Sequence, residues 1–497
     1  MPTGSSPRLG WQLLAAVMAG GFTTLTASPF ELWWLGPLAA ALVYWGSHAL
    51  SPAHAALKGM VYGLALFASG ASWVYVSIHD YGYTGPLLAG FLTALFVFAL
   101  ALFFAAMLWA YRRFTSPRYT LLGFAGIWVL AEVLRTYLFT GFPWLLLGSG
   151  FVDSPLAAWA PIGGVYLLSL LVAFSGALLI TLLIKRRLWA IAPLAAIWLT
   201  PFVLPTQWTT PSEQPTQVAM VQGNLPQLIK WTADGQREAV ATYTRQTQAI
   251  SDDVELIIWP ETALPMLENQ ALPVLEQIQS GLPTGTALVT GILQQDEQNQ
   301  RFFNGMIGVG NVEGDYQKEH LVPFGEYLPL ESLLRGLISF FDLPTSFITP
   351  GPDQQPPMQA AGISLGNAIC YEIIYPQLVA KRARNSQAII TISNDTWFGR
   401  SIGPHQHLQM ARLRALENGR YVLRATSNGI TVIIDPQGQI TRRAPQFETT
   451  TLTGEFHAMQ GLTPFTQMGS WPVWLLAGLL VLASLRLRET GKGINRP

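Results

Sequence analysis

Long apolar stretches separated by short polar segments occupy the first 206 residues of the chain, and one more lies near the C-terminus. Each is close to 20 residues, the length that an α-helix needs to cross the hydrocarbon core of a bilayer. The stretch 86–111 is the clearest, because it contains no charged residue. The pattern predicts eight membrane spans, with seven as the alternative because the first two are short and close together. The spans are 11–27, 30–49, 57–78, 86–111, 119–138, 163–184, 188–206 and 471–487.

Between the seventh and eighth spans the pattern changes to short runs rich in Val and Ile, alternating with segments of helical composition. Alternation of strands and helices is typical of an α/β layered domain. The Pro-rich segment 340–360 is long for a connection, and such loops often cover binding sites. Strands are predicted at 217–222, 254–259, 287–293, 302–310, 363–369, 387–393, 421–426 and 430–434, and helices at 233–251, 270–280, 372–384 and 405–418.

The charges divide the chain in the same way. Residues 207–470 hold 16 of the 29 Lys and Arg and 24 of the 29 Asp and Glu. The net charge is zero, so no basic excess indicates a nucleic-acid partner. We therefore predict seven spans in residues 1–206, a polar domain in 207–465, and a final span with a short tail in 466–497.

The basic residues also predict an orientation, because cytoplasmic loops carry most of the Lys and Arg. Bases occur at alternate ends of the spans, and the loops 79–85 and 139–162 contain none. Both termini should therefore be cytoplasmic and the polar domain outside, which in a bacterium is the outer face of the inner membrane. The bases concerned are Arg8, Lys58, Arg112, Arg113, Arg118, Lys185, Arg186, Arg187, Arg486, Arg488, Lys492 and Arg496.

Three polar residues near strand ends form a workable set for acyl transfer: Glu261, Lys318 and the only cysteine, Cys370. A thiol attacks a carbonyl, a carboxylate takes the proton, and an ammonium stabilises the oxyanion. Each residue alone has an ordinary alternative. Glu261 would then be a solvated or capping group, Lys318 a solvated loop residue, and Cys370 a small buried apolar side chain.

The sequence around these residues resembles the nitrilase superfamily, where a Glu, a Lys and a Cys follow in this order at the ends of strands. The matching blocks are WPET (259–262), YQKEHLVPFGEY (316–327) and AICYEIIYP (368–376). The resemblance covers about 217–456 and implies an αββα sandwich.

Within that superfamily, the added membrane helices resemble the bacterial apolipoprotein N-acyltransferase family. Further segments carry this likeness over nearly the whole chain: GFPW (141–144), QGN…KW (222–231), SNDTWFG (393–399) and GPHQHLQMARLRALENGRYVLRATSNG (403–429).

The resemblance implies a role for each matched residue. Glu261 would be the general base, Lys318 the oxyanion partner and Cys370 the nucleophile. The backbone N–H of Tyr371 would be a second oxyanion donor, and Glu326 would orient Lys318 or assist proton movement.

Other matched residues keep two interpretations. Glu372 is either a supporting group of the site or the ion-pair partner of an arginine such as Arg412 or Arg414. The segment 139–152 is too short to span and is expected to line a lipid entrance. Four aromatic residues match positions near a lipid-binding mouth, with core packing as the alternative: Trp144, Trp231, Trp397 and Phe398.

The implied reaction is a two-step acyl transfer. Cys370 takes an acyl chain from a phospholipid, typically phosphatidylethanolamine, and passes it to the N-terminal amine of a diacylated apolipoprotein. No metal or other cofactor is expected, since His405 and His407 stand at i,i+2 and do not share a helix face.

Two other functions remain open. A membrane-anchored amidase or nitrile hydrolase would use the same triad but transfer the acyl group to water. A transporter with a ligand-binding outer domain would not need Cys370.

Overall fold

The computed structural model describes residues 9–296, 298–329, 331–334, 336 and 347–485. The predicted loop 340–360 lies partly outside these residues. Arg8 and the four bases of the C-terminal tail lie wholly outside them. The N-terminal part is helical: α1 (Leu9–Thr26), α2 (Leu35–Tyr44), α3 (Pro52–Gly70), α4 (Val74–His79), α5 (Pro86–Phe114), α6 (Thr120–Tyr137), α7 (Ala160–Leu183) and α8 (Ile191–Leu199).

Within the described residues, four helices are long and apolar enough to cross a membrane, when adjoining 3₁₀ turns are counted: Leu9–Thr26, Pro86–Phe114, Thr120–Thr140 and Pro155–Leu183. Shorter apolar helices occupy Leu188–Phe202 and Trp471–Ser484. The predicted span 30–49 contains the ten-residue α2 and a 3₁₀ turn at Ser47–Ala49, because the chain turns at Gly46, whose φ is +70°. The predicted span 57–78 is divided between α3 and α4. The count of eight spans therefore stays a prediction.

Lys58 is one of the bases from which the orientation is predicted. It lies in α3 and not in a loop, and its side chain is fully buried. Its ammonium donates to the carbonyl oxygens of Leu42 and Trp45 at 2.9 and 2.6 Å, and to Gln12 Oε1 at 2.7 Å. The first two oxygens lie at the C-terminal end of α2. The last carbonyls of a helix have no N–H partner within the helix and attract a cation.

Within the described residues, the polar part contains two large sheets, and β1 pairs with β15 in a separate two-stranded sheet. The first has the order β14-β2-β3-β4-β5-β7, and the second has the order β13-β12-β11-β10-β9-β8-β6. Strands β2, β3 and β4 are parallel, as are β9, β10 and β11. The strands are β1 (Thr210–Pro211), β2 (Thr216–Gln222), β3 (Leu256–Ile258), β4 (Ala287–Asp296), β5 (Arg301–Gly310), β6 (Val312–Glu313), β7 (Tyr316–Gln317), β8 (Met358–Ala360), β9 (Ile363–Ile369), β10 (Ala388–Ser393), β11 (Val422–Thr426), β12 (Val432–Ile434), β13 (Ile440–Arg443), β14 (Thr450–Phe456) and β15 (Met459–Gln460).

Helices cover the outer faces of both sheets, which gives the αββα layering that the resemblance implied. The apolar residues between the sheets form one core, and a second core packs α9 and α10 on the first sheet. The remaining helices are α9 (Ala233–Gln248), α10 (Glu268–Gln279), α11 (Glu331–Leu334), α12 (Pro376–Ala383), α13 (Gly403–Asn418), α14 (Pro464–Met468) and α15 (Trp471–Ser484).

Helices α12 and α13 lie between the second sheet and the N-terminal helices, within one continuous apolar core. Polar contacts cross this boundary. Arg412 makes a two-pronged ion pair with Asp153, at 2.8 and 2.5 Å, and Glu417 Oε1 accepts from the backbone N–H of Val165 at 2.8 Å. The two parts are therefore packed together through α13.

Helices α3 and α5 approach so closely that only glycine fits at the contact. A Cβ placed on Gly59 would lie 2.1 Å from Phe104 O, whereas a Cβ on Gly90 of α5 meets no atom within 4 Å. Gly59→Ala should lower the free energy of unfolding by roughly 1–3 kcal/mol, since an overpacked contact forces the backbones apart. Gly90→Ala is the control, and it should be neutral or slightly stabilising. Thermal unfolding in detergent measures both, and equal melting temperatures for the two variants would contradict the close contact.

Candidate active site

Strand ends from both sheets meet at one place. Glu261 follows β3 and Lys318 follows β7 of the first sheet, while Cys370 follows β9 of the second. The structure therefore brings together the three residues that the sequence singled out.

Lys318 lies between two carboxylates. Its Nζ is 2.8 Å from Glu326 Oε2 and 3.5 Å from Glu261 Oε1, and only 1% of its side chain is exposed. Burial disfavours the charged amine, but the two carboxylates outweigh it and raise the pKa of Lys318 above its ordinary range. The two carboxylates thus favour the charged form of the buried Lys318 amine.

Asn304, in the middle of β5, joins the two carboxylates. Its Nδ2 donates to Glu261 Oε1 and to Glu326 Oε1, both at 2.8 Å. The other oxygen of Glu261 accepts from the backbone N–H of Asn394 at 2.8 Å. Glu261 is therefore held by bonds to both oxygens, as a positioned base must be.

The Glu326 carboxylate is also fixed by its own turn. Its Oε2 accepts from the backbone N–H of Val322 at 2.8 Å, and its Oε1 accepts from Lys318 Nζ at 2.9 Å. These are the contacts that a residue orienting Lys318 requires.

Cys370 occupies a turn with an unusual backbone. Its φ is +52°, in the left-handed region that non-glycine residues seldom adopt. Burial, with Glu261 as the next cause, raises the pKa of the Cys370 thiol well above its ordinary value, and Lys318 opposes this. The resting thiol is therefore protonated, and attack requires a base to remove the proton.

Glu372 does not pair with Arg412 or Arg414, which contradicts one of its two interpretations. Arg412 binds Asp153 and Arg414 binds Glu417, so each arginine has a different carboxylate partner. Glu372 instead accepts four hydrogen bonds of 2.7 to 3.0 Å. The donors are the backbone N–H groups of Ile369, Glu319 and His320 and the hydroxyl of Tyr316.

This set of bonds ties the Cys370 turn to the segment that carries Lys318. Burial raises the pKa of Glu372 to about 7 despite the donors around it. Its supporting role is thus to join the two halves of the site.

A segment of the helical part, 140–144, lies against the same turn. The hydroxyls of Tyr371 and Tyr375 donate to the carbonyl oxygens of Gly141 and Thr140 at 3.1 and 3.0 Å. The Tyr327 hydroxyl donates to Thr140 Oγ1 at 2.8 Å. The connection between α6 and α7 therefore lies directly beside the turn at Cys370.

The four predicted aromatic residues separate into two groups. Trp144 and Phe398 pack in one aromatic cluster with Trp73 and Phe142, in which the two tryptophans are buried and the two phenylalanines partly buried. Trp144 is 1% exposed and its Nε1–H donates to Gln406 Oε1 at 2.6 Å, which favours the packing interpretation for this residue.

Trp397 and Trp231 lie outside that cluster. The ring of Trp397 packs edge-on against the ring of Tyr81, with 5.9 Å between the ring centroids. Trp231 is 41% exposed, on a segment whose neighbours Leu228 and Ile229 are also exposed. Apolar side chains left in solvent in this way indicate contact with an apolar partner.

Three polar residues of the site were missed at the sequence level. Asn304 could have been found as the only polar side chain facing inward in an apolar strand. Lys230 is buried in QGN…KW, and burial lowers its pKa to about 8 although Glu261 opposes this. His407 was weighed only as a metal ligand, whereas its Nε2 lies 3.1 Å from the carbonyl oxygen of Cys370. In the part of the chain that is described, no group of three or more His, Cys, Asp or Glu is arranged to hold a metal ion.

Comparison with known proteins gives two family matches. Residues 217–461 match the carbon-nitrogen hydrolase family, and residues 19–178 match the apolipoprotein N-acyltransferase N-terminal domain.

Similar curated proteins cover nearly the whole chain. The apolipoprotein N-acyltransferase of Azotobacter vinelandii is 45% identical over 96% of this chain and 94% of its own length. Those of Pseudomonas syringae and Vibrio vulnificus are 43% and 39% identical, over 97% and 96% of this chain and 99% and 97% of their own lengths. Among solved structures, a carbon-nitrogen hydrolase from Helicobacter pylori is 14% identical, with a TM-score of 0.36 over 48% of this chain and 88% of its own.

Asn304→Ala tests the bridge between the carboxylates. It should slow acylation of Cys370 by about 10- to 100-fold, because hydrogen bonds to charged groups contribute roughly 1.5–3 kcal/mol. Release of p-nitrophenolate from p-nitrophenyl butyrate at a fixed pH measures this rate. Asn299→Ala, at an exposed turn, is the control, and equal rates for the two variants would refute the role of Asn304.

Proposed function

The chain belongs to the apolipoprotein N-acyltransferase family and N-acylates lipoproteins, and we propose that it does so through a thioester on Cys370. The acyl donor is a membrane phospholipid such as phosphatidylethanolamine. The acceptor is the α-amine of the S-diacylglyceryl cysteine at the N-terminus of an apolipoprotein. The observation that carries this proposal is the cluster of Lys318, Glu261 and Glu326 at the turn of Cys370.

In the first half-reaction, Glu261 takes the proton of the Cys370 thiol, and the sulfur attacks the ester carbonyl of the donor. The developing oxyanion is stabilised by the Lys318 ammonium and the backbone N–H of Tyr371. Collapse of this intermediate breaks the ester bond, Glu261 returns its proton to the leaving oxygen, and the lysophospholipid departs.

In the second half-reaction, the free amine of the acceptor attacks the thioester carbonyl. The same two donors stabilise the oxyanion, and Glu261 accepts the amine proton. The C–S bond breaks, an amide forms and the thiol of Cys370 is regenerated. Glu326 and Asn304 keep Lys318 and Glu261 in register through both steps.

Both substrates carry acyl chains in the bilayer, so the site is expected at the membrane surface. Two features support this. The segment 140–144 contacts Tyr371 and Tyr375 next to the nucleophile. Large apolar side chains nearby are exposed, including Phe139 at 88% and Phe347 at 48%. A lipid-covered site would also exclude water, which would otherwise hydrolyse the thioester.

We place the protein in the bacterial inner membrane with eight spans, both termini cytoplasmic and residues 207–465 in the periplasm. The bases of 112–118 and 185–187, which lie at the ends of α5 and α7, support this orientation.

Trapping the intermediate tests the reaction. Purified protein mixed with acyl-labelled phosphatidylethanolamine, and no acceptor, should acquire label that neutral hydroxylamine removes. Cys370→Ala should acquire none, and a diacylated lipopeptide should take up the label from the wild type. Release of labelled fatty acid without protein label would instead indicate a hydrolase. Undiminished function of Cys370→Ala would indicate a binding domain.

The orientation has its own test, because the chain has a single native cysteine. In a Cys370→Ala background, Gln437→Cys should react in intact spheroplasts with a membrane-impermeant maleimide. Ser116→Cys, between α5 and α6, should react only after the membrane is opened. The reverse pattern would invert the topology.

A further inference from the structure

We propose that His407 is a positioning residue that holds the carbonyl of Cys370 and thereby aims the backbone N–H of Tyr371 at the oxyanion. The inference rests on the proposed acyl transfer and adds a residue to it. Its basis is the contact of 3.1 Å between His407 Nε2 and Cys370 O. A carbonyl oxygen only accepts hydrogen bonds, so Nε2 carries the proton.

The effect on Tyr371 follows from the geometry of the peptide unit. The carbonyl of Cys370 and the N–H of Tyr371 belong to one planar group and point in opposite directions. A bond that fixes the carbonyl on the side of α13 therefore fixes the N–H on the opposite side. Because Cys370 has a φ of +52°, its conformation persists only where surrounding groups hold it.

His407 is itself held by a buried charge pair. Its Nδ1 lies 3.1 Å from both Asp395 Oδ1 and Arg424 Nη2, and Arg424 Nη2 donates to Asp395 Oδ2 at 2.6 Å. No more than 1% of any of these three side chains is exposed. Burial, followed by the charge of Arg424, lowers the pKa of His407. Asp395 opposes this shift, and in either charge state of the ring the bond to Cys370 O requires the proton on Nε2.

The arrangement joins three elements to the nucleophile turn. Asp395 follows β10, Arg424 lies in β11, and His407 lies in α13. Burial of a complete ion pair is seldom more stabilising than well-packed apolar residues. The buried pair of Asp395 and Arg424 therefore has a role beyond packing, since it orients the His407 donor to Cys370 O.

Two substitutions separate the role in positioning from a role in folding. In His407→Gln, the side-chain amide nitrogen takes the place of Nε2 and keeps the donor. In His407→Asn, the amide reaches only the place of Nδ1, and the donor to Cys370 O is lost. His405→Asn, on the same helix but partly exposed, is the control.

Each variant is treated with two reagents in detergent. Iodoacetamide alkylates the thiolate without forming an oxyanion, whereas p-nitrophenyl butyrate acylates it through a tetrahedral oxyanion. The proposal expects His407→Asn to alkylate within about threefold of wild type but to acylate about 100-fold more slowly, as for loss of an oxyanion donor. The loss should fall on the maximal rate and not on the KM for the ester. His407→Gln should acylate within about fivefold of wild type.

Equal acylation by His407→Asn and wild type overturns the proposal, and so does a loss of alkylation that parallels the loss of acylation. If His407→Asn does not fold, His407→Gln decides alone. The proposal is also refuted if a folded His407→Gln variant alkylates at the wild-type rate but acylates more than tenfold more slowly. Because the test uses a soluble ester, failure of phospholipid to label the wild type would refute the proposed donor without affecting this result.

Discussion

The buried ammonium of Lys318 is the interaction on which the site depends. A charge removed from water is tolerated only where opposite charges and hydrogen bonds replace the solvent. Glu261 and Glu326 supply the charges, and Asn304 binds both of them. The ends of the strands and turns that carry these residues are therefore fixed relative to one another, and the base and the oxyanion partner are fixed with them.

Cys370, the proposed nucleophile, comes from the other sheet, and a second buried carboxylate brings it into register. Glu372 accepts from Ile369 on the side of Cys370 and from Glu319 and His320 on the side of Lys318. His407, in α13, is bonded to the same turn at the carbonyl oxygen of Cys370. The turn is thus held from both sheets and from the helix layer, as a strained catalytic backbone requires.

The helical part contributes to the same architecture. Tyr371 follows the nucleophile directly, yet its hydroxyl binds Gly141, and the Gln406 amide oxygen accepts from the indoles of Trp73 and Trp144. Movement of segment 140–144 would therefore act on the turn at Cys370. If both substrates enter from a bilayer, as proposed, this coupling brings the N-terminal helices next to the candidate site.

The sequence by itself determined the layers and singled out the three residues that the structure brings together. Fully buried strands such as β10 are rich in Ile, and helices such as α5 are long apolar stretches, so local hydrophobicity revealed both. The candidate chemistry of a Glu, a Lys and a Cys was predicted from residue type and order. Strand β14 was missed because it lies at the edge of its sheet, where most of its side chains are only partly buried and carry no apolar pattern.

Only the tertiary structure decided which groups meet. Asn304 and Glu261 are 43 positions apart, and His407 and Cys370 are 37 apart. No local pattern records a bond between groups that separate strands and helices bring together. The partners of Glu372, the short α2 and the burial of Trp144 were settled in the same way. The sequence specifies which side chains of each segment are buried. The tertiary packing specifies which other segments those side chains contact.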